Sequence, residues 1–476
     1  MRAWIFAEHN RKWLTLAAVS VGLFMIMLDN TVVNVALPAI QRDLGADLSE
    51  LEWIVAGYAL TFASLMLVGG KVADAYGRRR IFVLGIVVFT LASLLCGLAS
   101  SSEMLIGARV FQGAGAALMN PATLSIIAAT FPPRERGTAI GIWAGTSALA
   151  LAIGPLVGGL ITEQLDWSWI FFVNVPVGVL GIAASYAFID ESRDETHVSL
   201  DLPGLTTSAV GLFALTYGLI EANTYGWTSG RIVGAFVLAV VSLVSFVVIE
   251  RRRRDPMLPL ELFRSGTYAG ANLVVLLVAL AMFGVFFFVS LYMQNVLGYS
   301  PVEAGAAFLP MTILIILLAP IAGKTSDRVG SRGLLTAGML LVAVQLVLFS
   351  RLSADASFWN LLPALLLGGV GMALTMTPSA AAATRSVPVD KSGVGAAVLN
   401  SARQVGGTMG IALIGAIMAA EAGGELSVDT FMRGFEAALQ VAAGIAILGA
   451  VVAFTLVRPH EGAGHAGHEA AIEPVA

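Results

Sequence analysis

Gly70-Lys-Val-Ala-Asp74-Ala-Tyr-Gly77-Arg-Arg-Arg80 and Gly323-Lys-Thr-Ser-Asp327-Arg-Val-Gly330-Ser-Arg332 carry one spacing of glycine, aspartate and basic residues. Position 70 recurs at 323, a shift of 253, and the same shift carries Gln41, Leu44 and Gly45 onto Gln294, Leu297 and Gly298. After a slip of three residues, Gly113, Gly115 and Gly137 are answered by Gly369, Gly371 and Gly393. The chain is an internal duplication. In a strongly apolar chain, duplicated halves mark carriers that rock one half against the other around a central site.

Composition points the same way. With 57% hydrophobic residues, 12% charged residues and a mean hydropathy of +0.85, the chain has too little polar surface to cover a soluble globule. The net charge of -4 says little, because in a membrane protein the placement of charges matters more than their sum. The single cysteine, Cys96, falls in an apolar segment and can form no internal disulfide. The first apolar stretch follows Arg11 and Lys12 but exceeds a signal-peptide core, so it is expected to stay as a first helix.

A spanning helix needs about 20 predominantly apolar residues. Fourteen such windows lie near 13–38, 50–70, 80–99, 104–130, 137–161, 168–189, 202–221, 231–249, 267–293, 302–322, 333–350, 358–378, 394–420 and 432–457. With both termini inside, only four of the 27 Lys and Arg residues sit in outer loops, Arg42, Arg231, Arg351 and Arg433, and this asymmetry sets the expected orientation. Asp74 lies between the second and third windows and Asp327 between the tenth and eleventh, eight windows on. Two six-helix bundles with two helices inserted between them satisfy this count. The expected division is therefore an N-terminal bundle over 1–200, the inserted pair over 201–250, a C-terminal bundle over 251–458 and a disordered cytoplasmic tail over 459–476.

Five motifs then carry a resemblance. Leu28-Asp-Asn-Thr-Val-Val-Asn-Val-Ala-Leu-Pro38 lies in helix 1, and Arg109, Gln112, Gly113, Gly115 and Ala117 lie in helix 4. Gly141, Gly145, Gly154, Pro155, Gly158 and Gly159 mark helix 5, and Gly70–Arg80 forms the loop after helix 2. Asn400, Arg403, Gln404, Gly406 and Gly407 lie in helix 13. In this order they resemble the fourteen-helix drug:proton antiporter branch of the major facilitator superfamily, with two departures. Ala75 stands where the loop motif has a basic residue, and Ala150 where the helix 5 motif has a glycine. The resemblance implies an all-α integral membrane fold of two bundles, a helix 5 that favours exchange over co-transport, and an acid in helix 1 that trades its proton for substrate.

The residues support separate readings. Of the 27 Lys and Arg and 31 Asp and Glu, only Asp29, Arg109 and Arg403 fall deep within helices, while Glu52, Glu103, Glu221, Glu421 and Glu436 lie near helix ends. None of the three is repeated, since the local offsets bring Met282, Leu365 and Ser147 to their places. A mid-bilayer charge costs about 2.5–3.5 kcal/mol on insertion scales, so a charge that one half carries and the other omits needs a function. Asp29 and Arg109 are assigned to proton coupling; a structural hydrogen bond or buried ion pair is the alternative. Asn30, Asn34, Trp53, Tyr58 and Gln112 are expected at the substrate, with Asn400, Arg403 and Gln404 on the opposite wall or in a structural network. Met282, Phe283, Phe286 and Phe287 of helix 9 offer a soft lining, or face lipid and neighbouring helices.

Gly70, Asp74, Gly77, Arg78 and Asp327 are expected to gate, with Asp74 as a latch or a solvated loop acid. Gly154, Pro155, Gly158 and Gly159 give a close, bendable seam, or plain small-residue packing. The expected function is proton-coupled export of amphipathic small molecules, cationic ones among them, by rocker-switch alternating access. A proton-coupled importer of a nutrient or siderophore is the alternative, which the helix 5 motif argues against. No cofactor is expected, the proton gradient being the drive; the partners are the small solute, protons and the bilayer of the cell inner membrane, with no nucleic acid, and a monomer is expected. His9, His197, His460, His465 and His468 all lie in tails or a loop, and no nucleotide-binding motif occurs, which argues against a membrane enzyme.

Overall fold

The computed structural model describes residues 8–193, 201–253, 256–387, 392–422 and 427–458; the expectation for the tail falls outside them. Fourteen helical segments follow one another among these residues. They are α1 (Glu8–Leu44), α2 (Leu48–Tyr76), α3 (Arg78–Gly97), α4 (Ser102–Thr130) and α5 (Pro133–Gln164). Then come α6 (Trp169–Phe172 with Asn174–Phe188), α7 (Leu202–Tyr225), α8 (Gly230–Arg252) and α9 (Gly266–Leu291), the last running on through a π turn at Tyr292–Val296. The chain ends with α10 (Pro301–Ala307 with Leu309–Val329), α11 (Ser331–Ser350), α12 (Phe358–Arg385), α13 (Ser392–Ala422) and α14 (Val428–Leu456). Twelve described helices are long and apolar enough to cross a membrane, and α2, bent by 52° between Leu48–Met66 and Val68–Tyr76, makes a thirteenth. The face that carries the Gly77 and Gly330 turns is called terminal here, and the opposite one distal.

The repeat is visible in the turns. Gly45 and Gly298 have φ of 66° and 70°, and Gly77 and Gly330 have φ of 112° and 85°, in the region that side chains avoid. Each pair stands at the same shift of 253. The capping box of Asp47 and Glu50, which starts α2, recurs as Ser300 and Glu303 at the start of α10. Ser101 caps α4, and Ser357 with Asn360 opens α12 at the slipped offset.

Packing repeats as well. In the first bundle α2 and α3 pack on α4, α1 on α5, and α6 on α1 and α3. In the second, α10 and α11 pack on α12, α9 on α13, and α14 on α9 and α11. The bundles meet along two seams, α2 against α13 and α5 against α10. The inserted α7 rests on α2 and α13, with α8 outside it. The insertion thus covers one seam and leaves the other bare.

Small residues permit these approaches. A Cβ on Gly69 would overlap the carbonyl of Ala117, one on Gly113 that of Tyr58, and in the second half one on Gly410 that of Leu280.

Candidate functional site

The helix 1 acid lies inside the first bundle. Asp29 is 1% exposed, and its Oδ2 accepts from Nη1 of Arg109 at 2.5 Å while its Oδ1 accepts from Nε2 of Gln112 at 2.8 Å. Arg109 and Gln112 are three residues apart on α4, so both reach the same face. The arginine also donates to Gln112 Oε1 at 2.7 Å and to the Ile54 carbonyl at 3.1 Å, and its guanidinium lies 4.2 Å from the Tyr58 ring centroid. Gln112 donates further to Ser93 at 2.8 Å, and Asn174 of α6 donates to the same hydroxyl at 3.3 Å. A buried charge is tolerable only when paired and hydrogen-bonded. Five helices supply those partners here.

The structure brings Asp29, Arg109, Gln112 and Tyr58 together; sequence reading pairs the first two and expects Gln112 and Tyr58 at the substrate. It did not anticipate Ser93 and Asn174, whose only signal is that they are polar residues in apolar windows. Asn30 and Asn34 donate back to the Ile26 and Asn30 carbonyls at 2.8 and 3.3 Å and stay half-buried. Trp53 is drawn elsewhere, for its indole N–H and the Ser49 hydroxyl both donate to Glu221 of α7, at 3.0 and 3.1 Å. Met282 and Phe287 are buried in the core, while Phe283 and Phe286 are half-buried, the latter 5.4 Å from the Phe308 ring. On α13, Asn400 and Arg403 are half-buried and Gln404 is buried, its Nε2 without a partner. Among the described residues no hydrogen bond or ion pair reaches Arg403.

The distal face is sealed by backbone. A Cβ on Gly159 would overlap the Pro301 carbonyl of α10, and one on Gly305 would overlap the Pro155 carbonyl of α5. Within the first bundle, Gly154 lies against the Thr31 hydroxyl and Gly158 against the Val32 backbone of α1. Gln294 donates to the Val35 carbonyl at 2.9 Å, and the Val302 N–H donates to Glu163 at 3.1 Å. At the other seam Glu52, 2% exposed, packs where a Cβ of Gly415 would stand. Glu52 is a buried acid that its place near a helix end concealed. Toward the terminal face, by contrast, Gly141 and Gly145 have no atom within 4 Å of where a Cβ would lie.

At that face the two repeated loops are latched differently. Asp74 accepts from Nε of Arg78 at 2.8 Å within its own loop, and the Gly77 turn seats Arg79 and Arg80 beside Glu191. Gly70 lies against Pro121. Asp327 instead reaches Arg385 at the end of α12, at 2.7 Å. Both loop acids pair inside their own bundle.

Comparison with known proteins agrees with this architecture. The Major Facilitator Superfamily profile matches residues 19–411 and 271–476. The puromycin resistance protein pur8 of Streptomyces alboniger is 39% identical over 94% of this chain and 92% of its own. The tetracenomycin C resistance and export protein of Streptomyces glaucescens is 38% identical, covering 87% of this chain and 77% of its own. The methylenomycin A resistance protein of Streptomyces coelicolor is 37% identical over 85% of each. Among solved structures, the peptide transporter POT in complex with sulfate superposes with a TM-score of 0.68 at 16% identity, over 94% of this chain and 96% of that one, which speaks to the fold alone. Duplicated bundles, paired seams, helical composition and these relatives converge: the chain is a multi-pass membrane transporter, not an enzyme, and it belongs to the major facilitator superfamily.

Proposed function

We propose that this protein is a proton-coupled antiporter that exports amphipathic small molecules, cationic ones among them, from the cytoplasm by rocker-switch alternating access. The carrying observation is Asp29, a carboxylate that only one half possesses, paired with Arg109 and Gln112 in the dry interior of that half. With the distal face sealed and the terminal face apart, this pair is the proton-released form. Opening the distal side admits water and protons to the bundle, and protonation of Asp29 frees Arg109 from its partner. The terminal face is the cytoplasmic one, where most Lys and Arg residues gather. The protein works in the cell membrane, as a monomer, on the proton gradient alone. Relatives named for puromycin, tetracenomycin C and methylenomycin A support a substrate class defined by amphipathicity rather than by one scaffold.

The test is rhodamine 6G accumulation in everted vesicles acidified inside. Uptake is expected to collapse when a protonophore dissipates the gradient. Uptake that persists unchanged removes proton coupling, and absence of uptake for this and other amphipathic dyes removes export.

Two further outcomes follow from the gates. Asp74→Asn removes the partner of Arg78 in a loop that lies away from Asp29 and acts on the balance of states. Turnover is expected to fall about tenfold with dye affinity within a few fold, measured as kcat against KM; unchanged transport makes Asp74 a solvated loop acid. Glu52 is buried against α13, and burying a charge without a partner is costly. A proton on Glu52 therefore accompanies sealing of the distal face. Glu52→Gln keeps the volume and removes that dependence, so export is expected to become several-fold less sensitive to external pH. A parental pH profile would reduce Glu52 to a space-filler.

A further inference from the structure

Two carboxyl groups face each other at the terminal end of the inserted hairpin. Asp201 caps α7, its Oδ1 accepting from the Gly204 N–H at 2.8 Å, and Glu250 lies in the last turn of α8. They are 1% and 3% exposed. Asp201 Oδ2 and Glu250 Oε1 each stand 2.6 Å from the place where a Cβ of Gly204 would lie, so the bare glycine is what lets the two groups meet. Their other oxygens are engaged: Arg253 holds Oδ1 of Asp201, and the Leu258 N–H donates to Glu250 Oε2 at 2.8 Å.

The two inner oxygens have no donor between them. An ionised carboxylate only accepts, and two of them packed together without water repel. One proton turns that repulsion into a hydrogen bond, for which the side chains are within reach. The cations that face the pair are Arg253, already spent on Asp201, and Lys71 of α2, which acts on Glu250 through space. Arg251 and Arg252 on the same turn of α8 are exposed. Lys71 donates to the Pro256 carbonyl at 3.3 Å. Pro256 and Leu258 belong to the strap of chain between α8 and α9, so Glu250 pins that strap from the insertion and Lys71 pins it from the repeated stretch that begins at Gly70.

We propose that Asp201 and Glu250 bind one shared proton, a second protonation site separate from Asp29, and that this proton fixes the strap to α2. With the proton bound, Lys71 is left to the strap carbonyl. Once it is lost, Glu250 is a bare carboxylate beside Asp201, and Lys71 is drawn to it and lets the strap go. The strap is therefore held at low pH on the terminal face and released as that pH rises. The site needs neither export nor the coupling assigned to Asp29, since its parts lie on the insertion, the strap and one end of α2.

The test uses full-length protein in lipid nanodiscs. Infrared difference spectra are expected to show a protonated-carboxyl carbonyl band that fades as the pH is raised, is absent from both Asp201→Asn and Glu250→Gln, and is retained in Asp29→Asn. The strap is read by Met257→Cys, at a position only 4% exposed, on a Cys96→Ala background. Raising the pH through the fading of the band is expected to speed N-ethylmaleimide labelling about tenfold more than in the same protein carrying Glu250→Gln, whose amide keeps both hydrogen bonds at every pH. The comparison cancels the titration of the thiol itself, and Asp201→Asn serves in its place should Glu250→Gln fail to fold. Lys71→Met is expected to keep the band and to label fast at every pH. Absence of a titrating band, or one that survives both substitutions, overturns the proton site. One labelling profile shared by the parent and Glu250→Gln overturns its hold on the strap.

Discussion

Asp29→Asn protein, purified and reconstituted, is expected to lose uphill dye export by at least about 100-fold while retaining downhill exchange. The substitution keeps the shape and the acceptor toward Arg109 but removes the group that can take a proton. It also leaves the Arg109 cation buried without a counter-charge, and breaking a buried pair costs about 3–5 kcal/mol. Lowered thermal stability is therefore expected alongside lost coupling, and the two effects can be separated. Asp29→Asn with Arg109→Gln leaves a neutral hydrogen-bonded pair, which is expected to recover most of the stability and none of the coupling. Uphill export at the parental rate in either variant would move the proton path away from Asp29, with Glu52 the next carboxylate to examine.

Gly305→Leu is expected to have the second largest effect, through the seal and not the chemistry. Any side chain there meets the Pro155 carbonyl of the opposite bundle, a backbone atom that cannot rotate aside. Overpacking of this kind costs about 1–3 kcal/mol, and it bears on the sealed form alone, so the balance of states should shift roughly 5- to 150-fold toward the distal-open form. Turnover is expected to fall accordingly while dye binding from the distal side persists. Cysteine accessibility at Gln294→Cys should rise in the same variant. Accessibility equal to that of the parent would mean that α5 and α10 part and close elsewhere.

Much of this fold was legible because its signals are local. Apolar windows and their breaks are properties of consecutive residues, and the turn glycines at 45, 77, 298 and 330 repeat because both bundles need the same left-handed corners. The site was harder, because its partners are distant in sequence. Asp29, Asn30 and Asn34 look like one wet stripe on helix 1, yet Asp29 finds Arg109 eighty residues on and turns into its own bundle, while the asparagines donate to carbonyls on the preceding turn and Asn34 Oδ1 stays without a partner. Trp53 was drawn to Glu221 of the inserted helix, a pairing that no periodicity encodes. Glu52 lies near the start of α2, as read from the sequence, but its burial comes from Gly415 of α13, a contact between the bundles that no local pattern encodes. The breaks at Val173 and Phe308 leave no trace in hydropathy at all.

The inserted hairpin makes the two sides of the molecule unequal to the bilayer. Where α7 spans α2 and α13, protein stands in the place of lipid, whereas no inserted helix covers the α5 and α10 seam. In the proposed rocker-switch cycle, the change in cross-sectional area within each leaflet would be taken up at that bare side. Lateral pressure and hydrocarbon thickness would then act on that cycle as a one-sided load, with a thicker or stiffer membrane resisting the stroke along a single edge of the protein.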